Sequence, residues 1–259
     1  MKNADIVTQN NSNKKSIIID ISFNIDRSKC FEENTPMYYE TKELFRKSQK
    51  KEWIRIKIGL LMKYTIKSLL SQTYKGFIVV IRSTEETIDI INNVLGEYDK
   101  LPDNIVFTTK AEEIFDKQIE ISDKLYRVVI NNDSIYSSRF IEMIDYMSIA
   151  NGTQTLICKN GYIYNEKINK MAQLNNETTS FYTEIYNKET YKTLYTSRIF
   201  ENCSKAIDYA YEVVAGSQFC ICVSENNEDN NFENMVERFK GVYMSEEDKE
   251  RILRVCHIH

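Results

Sequence analysis

The chain has 259 residues, a formal net charge of −4 and no basic block, which argues against nucleic acid as its main partner. Its 42% hydrophobic and 28% charged residues are an ordinary globular balance, enough to bury a sizeable core in one large domain or two small ones. With only two Pro and seven Gly, a flexible Gly/Ser linker is excluded.

In chain order, residues 1–15 are rich in Asn, Gln, Ser and Lys and read as a disordered lead-in without the apolar core of a signal peptide. Residues 16–259 then read as a single α/β domain, with no composition shift to divide them. Ile17, Ile18, Ile19 and Ile21 make the first strand, which runs into a polar turn from Phe23 to Arg27. Residues 28–50 lack clean periodicity and read as a long loop or short helical insertion. Lys51 to Gln72 is the strongest helix, with Trp53, Ile56, Leu60 and Tyr64 at helical spacing and much of its circumference apolar. Phe77 to Ile81 is a second buried strand ending beside Arg82 and Ser83, and Ser83 or Thr84 can cap a helix over Glu85 to Tyr98. A short strand at Ile105 to Phe107 and a short helix at Ala111 to Gln118 follow.

Tyr126 to Ile141 is the pivotal stretch. Val128, Val129 and Ile130 form a β-branched run, as in a strand buried on both faces. It ends in four small polar residues, Asn131, Asn132, Asp133 and Ser134, after which Ser134 can cap a helix extending towards Ala150. Strand, polar turn and helix place reactive groups at the carboxyl end of a sheet. The bland alternative is a buried strand with an Asx-type turn. Strands alternating with helices up to this point imply a mostly parallel sheet flanked by helices.

Beyond residue 150 the pattern becomes a meander, with short strands at Thr153 to Lys159, Gly161 to Asn165 and Ile168 to Ala172, the first two joined by an Asn-Gly turn. Asn175 to Tyr186 is polar and aromatic. Ser204 to Val214 reads as a helix stopped by Gly216, Gln218 to Val223 as a last apolar strand, and the tail after residue 231 as amphipathic. The six cysteines follow no disulfide-framework spacing, and no apolar run reaches membrane-spanning length, so a reduced, cytoplasmic protein is expected. Peripheral association with the inner face of a membrane would leave no mark in the sequence. Cys220 and Cys222, with Cys256, His257 and His259, could suggest a soft metal, but the two strand cysteines share a buried face and no Cys-x-x-Cys is present.

Three stretches resemble the bacterial rhamnosyltransferase-like family of GT-A-fold glycosyltransferases. The first is Trp53 through Phe77, where Ser68-Leu-Leu-Ser-Gln-Thr73 is similar to the family's Ser-Leu-x-x-Gln-Thr helix end. The second is the turn, where Asn131, Asn132, Asp133 and Ser134 stand against an Asp-Ser-Asp-Asp type motif. The third is Phe219 to Asn227, with Ser224 and Glu225 where the family has His-Gly. The resemblance covers roughly residues 16–230 and implies a nucleotide-sugar-binding half (16–150) followed by an acceptor half (151–259).

By that resemblance the protein moves a sugar, rhamnose being one candidate, from a nucleoside-diphosphate donor to a carbohydrate or lipid-linked acceptor, as bacterial polysaccharide enzymes do. Asp133 would be the ligand of a divalent cation, Mg²⁺ or Mn²⁺. Two of three acidic positions are amide or hydroxyl here, so the ion is either held by Asp133 and pyrophosphate alone or absent. Phe23, Arg27, Arg82, Asn131, Asn132 and Ser134 are candidate donor contacts. Glu177, Glu184 and Glu225 are candidate general bases for the acceptor hydroxyl. Two alternatives stand beside this: a catalytically impaired relative that binds a sugar nucleotide or a protein partner, and a small α/β domain unrelated to glycosyl transfer.

Overall fold

The computed structural model describes residues 14–28, 31–175, 181–198, 208–223 and 232–256. Four β-branched runs form the parallel half of its sheet: β1 (Lys15–Ser22), β2 (Phe77–Arg82), β3 (Ile105–Thr108) and β4 (Lys124–Ile130). Their spatial order is β4-β1-β2-β3, with Ile17 opposite Phe77 and Tyr126, and Ile21 opposite Ile81 and Ile130. Each connection between sequential strands carries a helix, as parallel pairing requires. Between β1 and β2 lie α1 (Pro36–Ser48) and α2 (Lys51–Leu60), the latter continuing through a π-helical turn (Leu61–Ile66) into α3 (Lys67–Leu70). Then α4 (Ile88–Leu95) precedes β3, and α5 (Ala111–Glu120) precedes β4.

Side chains alternate across the central strands, which explains their unbroken apolar runs. Ile17, Ile19, Ile21, Val79 and Val128 pack with Ile54, Ile58, Leu61 and Leu69 of the long helix. Ile18, Val80 and Leu125 face the other way, onto Phe115 and Ile119 of α5 and onto Tyr191 and Tyr195 of α7 (Tyr191–Arg198).

The second half of the chain extends the same sheet with antiparallel strands. β8 (Tyr182–Asn187) pairs with β4, so β4 is interior, as expected of the pivotal strand. β6 (Thr155–Asn165), β7 (Lys170–Asn175) and β10 (Val242–Tyr243) complete the meander. β9 (Tyr211–Val223) runs parallel to β6 and antiparallel to β5 (Ser134–Tyr136). The remaining helices are α6 (Phe140–Tyr146), α8 (Phe232–Arg238) and α9 (Glu246–Val255). Among the described residues no helix is long and apolar enough to cross a membrane.

Within residues 28–50, read as a long loop or a short helical insertion, Pro36–Ser48 is a helix, capped by Thr35, whose side chain accepts from Tyr38 N, and started by Pro36. Several other local expectations are corrected. Ser134 is no N-cap: Ser134 to Tyr136 pair with Ile221, Cys220 and Phe219, which delays α6 to Phe140. Ser83 and Thr84 do not cap α4, whose N-cap position is Thr87. Asn160-Gly161 is no turn, since β6 continues through it, with a register shift against β9, and pairs with β9 and β7 on its two edges. Residues 211–214, expected as helix, open β9 instead. Gly216 (φ +75°) lies at a bulge where Ala215 and Gly216 stand between Val214, opposite Cys158, and Ser217, opposite Asn160.

Candidate active site

The carboxyl ends of β1 and β4, adjacent parallel strands, open onto one cleft of about 380 Å³. Its walls come from three places: the loop after β1 (Phe23, Arg27), the polar turn after β4 (Asn131, Asn132, Asp133), and α1 and α2 (Phe45, Trp53, Lys57). Open α/β sheets place ligands in this position. Phe23 meets Trp53 edge to face at 5.5 Å, giving an apolar wall beside the polar turn.

Both loops are held by their own polar side chains. Asp26 Oδ1 accepts from Ser28 N (2.8 Å) and Ser28 Oγ (2.6 Å), closing an Asx turn around Arg27. Asn24 Nδ2 donates to Thr87 Oγ1 at 2.7 Å, and its Oδ1 accepts from Thr84 N at 3.3 Å. The polar turn is clamped from two sides. Cys222 N donates to Asp133 O at 2.9 Å, and Thr65 Oγ1, in the π-helical turn, donates to Ser134 O at 2.8 Å. Tyr136 Oη donates back to Val129 O at 2.9 Å, while its ring stacks on Phe140 with centroids 3.9 Å apart.

The helix end that carries the family resemblance continues this stitching. Ser68 Oγ donates to Tyr136 O (3.0 Å), Gln72 Nε2 to Ser137 O (2.9 Å), and Gln72 Oε1 accepts from Ile141 N (3.1 Å). The polar positions of that motif therefore hold the segment after Asp133 in place. Each satisfies a buried backbone group that would otherwise lose its water.

Of the candidate residues, the structure brings Phe23, Arg27, Asn131, Asn132 and Asp133 together on the cleft. Ser134 is fully buried, with its Oγ 3.2 Å from Asp133 Oδ1. Arg82 and Glu184 do not reach the cleft. They belong to a buried ionic network under α5 and α7, on the sheet face that carries Ile18 and Val80. Asp20 Oδ1 accepts from Arg82 Nε (2.7 Å) and its Oδ2 from Arg127 Nε (2.6 Å). Arg127 Nη1 donates to Glu184 Oε2 (2.7 Å), and Tyr186 Oη donates to the same oxygen (2.5 Å). Arg82 also donates to Tyr195 Oη at 2.7 Å. Burial alone raises the Asp20 carboxyl, but Arg127 and Arg82 outweigh it and hold the group below the usual carboxylate range. Glu177, Glu225 and Ser224 lie outside the described residues, as do His257 and His259.

Two features escaped the sequence reading. One is α1 as a wall. The other is Lys57, which lines the cleft at 6% exposure. It sits four residues after Trp53 and three after Ile54, on the buried face of α2, so a charge at a core position of a helical pattern was the readable signal.

Asp133 is the one carboxylate in the described cleft wall, which also carries the cations Arg27 and Lys57. No group of three or more His, Cys, Asp or Glu side chains suited to a metal ion occurs among the described residues. Among the described residues the cleft offers a divalent ion the carboxylate of Asp133, a donor that would hold Mg²⁺ or Mn²⁺ jointly with a bound diphosphate. The cysteines at 158, 220, 222 and 256 are free and buried, as expected of core residues.

No family model matches the sequence, and no curated protein does. Among solved structures, the chain is similar to S. aureus TarS 1-349 in complex with UDP, at 14% identity over 93% of this chain and 69% of that chain, with a TM-score of 0.36. It is similar to a cytidylyltransferase from Leptospira borgpetersenii at 8% identity over 93% of this chain and 94% of that one (TM-score 0.38). For the inositol-1-phosphate CTP transferase from T. maritima the figures are 13% identity, 88% and 96% coverage, and a TM-score of 0.35. The α/β architecture, parallel in its first half and flanked by helices, stands on the strand pairing itself.

Proposed function

We propose that the cleft binds a nucleoside-diphosphate sugar and that the protein transfers the sugar to a carbohydrate or lipid-linked acceptor. The observation that carries this reading is the convergence of Phe23, Arg27 and the Asn131–Asp133 turn at the carboxyl ends of two adjacent parallel strands. Trp53 and Phe23 supply apolar surface for a base or sugar face, Asn131 and Asn132 supply amides for hydroxyls, and Arg27 supplies charge for phosphate. In the transfer, the acceptor oxygen bonds to the anomeric carbon while the bond from that carbon to the diphosphate oxygen breaks. The electron pair leaves on the diphosphate, and the hydroxyl proton passes to a base, for which Glu177 and Glu225 remain the candidates. Rhamnose donors belong first in the screen because the sequence resembles rhamnosyltransferases.

The test is a thermal-shift screen of sugar nucleotides with and without Mn²⁺, followed by an assay for release of nucleoside diphosphate in the presence of acceptor. Stabilisation by one donor class together with release supports transfer. A cleft with one carboxylate among its described residues favours a second reading, a binding protein without turnover. Stabilisation without release under any acceptor would establish it. No shift with any sugar nucleotide refutes both.

A further inference from the structure

Resting on that reading, we infer that α1 is a hinged flap that closes over the cleft and meets the bound nucleotide through Leu44 and Phe45. Thr41, Leu44, Phe45 and Ser48 stand at positions i, i+3, i+4 and i+7 of the helix, and all four line the cleft. A stripe of that spacing ordinarily lies against a core. Here no apolar side chain of α1 belongs to a core cluster of the described residues or packs on one, and Ser48 is the one buried residue of the helix. Leu44 is 49% exposed, as is Met37 on the same face.

The polar contacts of α1 are equally local. Among the described residues, its side chains bond no further than Asn34 at one end and Gln49 at the other. Tyr39 Oη donates to Asn34 Oδ1 (2.8 Å), Thr41 Oγ1 to Met37 O (2.7 Å) and Ser48 Oγ to Phe45 O (2.7 Å), while Arg46 pairs with Glu43 (3.3 Å). The tie to the body comes after the helix. Gln49 Oε1 accepts from Thr84 Oγ1 at 3.1 Å, and Gln49 Nε2 donates to Asn24 O at 3.5 Å. Lys50 is then extended (φ −79°, ψ 136°) and breaks the helical path before α2, which Ile54 and Ile58 fix in the core. One extended residue between two helices, the first loosely packed and the second buried, is a hinge. A helix of 13 residues is marginal by itself, so the hold on α1 depends on what fills the space before its stripe. A nucleotide in the cleft would bury Leu44 and Phe45 on the ligand that also meets Phe23 and Trp53, and so favour the closed position. The alternative, that α1 is a fixed wall, makes different predictions for exchange and affinity.

The experiment is amide hydrogen exchange, read by mass spectrometry, on the full chain alone and with UDP, dTDP or GDP, with binding of each nucleotide scored separately by thermal shift. In the free chain, amides of residues 40–48 are expected to exchange at least about tenfold faster than those of residues 54–60, which the core holds. A nucleotide that binds is expected to slow residues 40–48 by at least about fivefold and to leave residues 54–60 unchanged. Leu44→Ser and Phe45→Ala are each expected to lose about fivefold in affinity for that nucleotide, with the Tm of the free chain within about 2 °C of the original because neither side chain packs on the core. Lys47→Ala, an exposed position outside the cleft lining, is expected to change neither. Three results would each overturn the flap and leave the proposed function standing: residues 40–48 as slow as 54–60 in the free chain, no slowing by a nucleotide that binds, or full affinity in both Leu44→Ser and Phe45→Ala. Absence of binding by all three nucleotides would overturn both together.

Discussion

Replacing Asp20 with Asn tests whether the sheet is held by the buried ionic network. Asp20 is 1% exposed and is shared by two arginines, through bonds of 2.7 Å from Arg82 Nε and of 2.6 and 2.5 Å from Arg127 Nε and Nη2. Arg82, Arg127 and Glu184 are themselves 5–6% exposed, so the four buried charges balance as two positive and two negative. The substitution leaves two buried guanidinium groups facing one buried carboxylate, and breaking a buried pair of this kind costs about 3–5 kcal/mol. In a chain of this length that corresponds to a fall in Tm of roughly 10 °C. Urea unfolding should show the midpoint shifting with an unchanged slope. Glu112→Gln is the control: its bond to Arg82 is 3.2 Å and its side chain is 53% exposed, so the loss should stay below about 1 kcal/mol. Because Asp20 has its folded-state pKa depressed, its contribution is present above the unfolded value of about 4 and is lost as pH falls through the folded value. The gap between the native chain and Asp20→Asn should therefore narrow between about pH 5 and pH 2. A cost under about 1 kcal/mol, or a gap independent of pH over that range, would refute the reasoning.

A Cβ added at Gly161 would overlap the ring of Phe219, which is 1% exposed and stacked on Phe181 with centroids 3.7 Å apart. Gly161→Ala should thus cost about 1–3 kcal/mol by chemical denaturation, and a change within about 0.5 kcal/mol would contradict the packing. Thr65→Val removes the donor to Ser134 O and should cost about 1–2 kcal/mol by chemical denaturation; a change within about 0.5 kcal/mol would show that this bond does not hold the turn. Burial pushes the thiols of Cys158 and Cys220 up, and that of Cys256 up to about 12, with Cys222 adding to the last two. Cys158, Cys220 and Cys256 should escape iodoacetamide at pH 8 until denaturant is added, and rapid modification of any of them, read by mass spectrometry, would contradict their burial.

The strands around Ile17, Val79 and Val128 were legible because a strand covered on both faces has no polar side to interrupt it. The long helix from Lys51 was legible because its apolar residues repeat at helical spacing. Phe23, Arg27, Arg82 and Asp133, each at or just past the end of a parallel strand, were expected on one rim; Phe23, Arg27 and Asp133 line one cleft, while Arg82 turns into the buried network with Asp20 and Tyr195. What the sequence withheld depended on partners far along the chain. α1 has one buried residue, Ser48, and so carries almost no periodic signal. Residues 211–214 are strand because β6, more than 50 positions earlier, offers them an edge, which overrides local propensity. Glu184 reads as a polar residue in an aromatic segment, and its pairing with Arg127, 57 positions away, exists only after β8 joins β4. Lys57 and Asp133 share a cleft for the same reason. A charge acquires its role from whatever low-dielectric wall and counter-charge the fold brings to it, and neither is encoded within a helical turn of the residue itself.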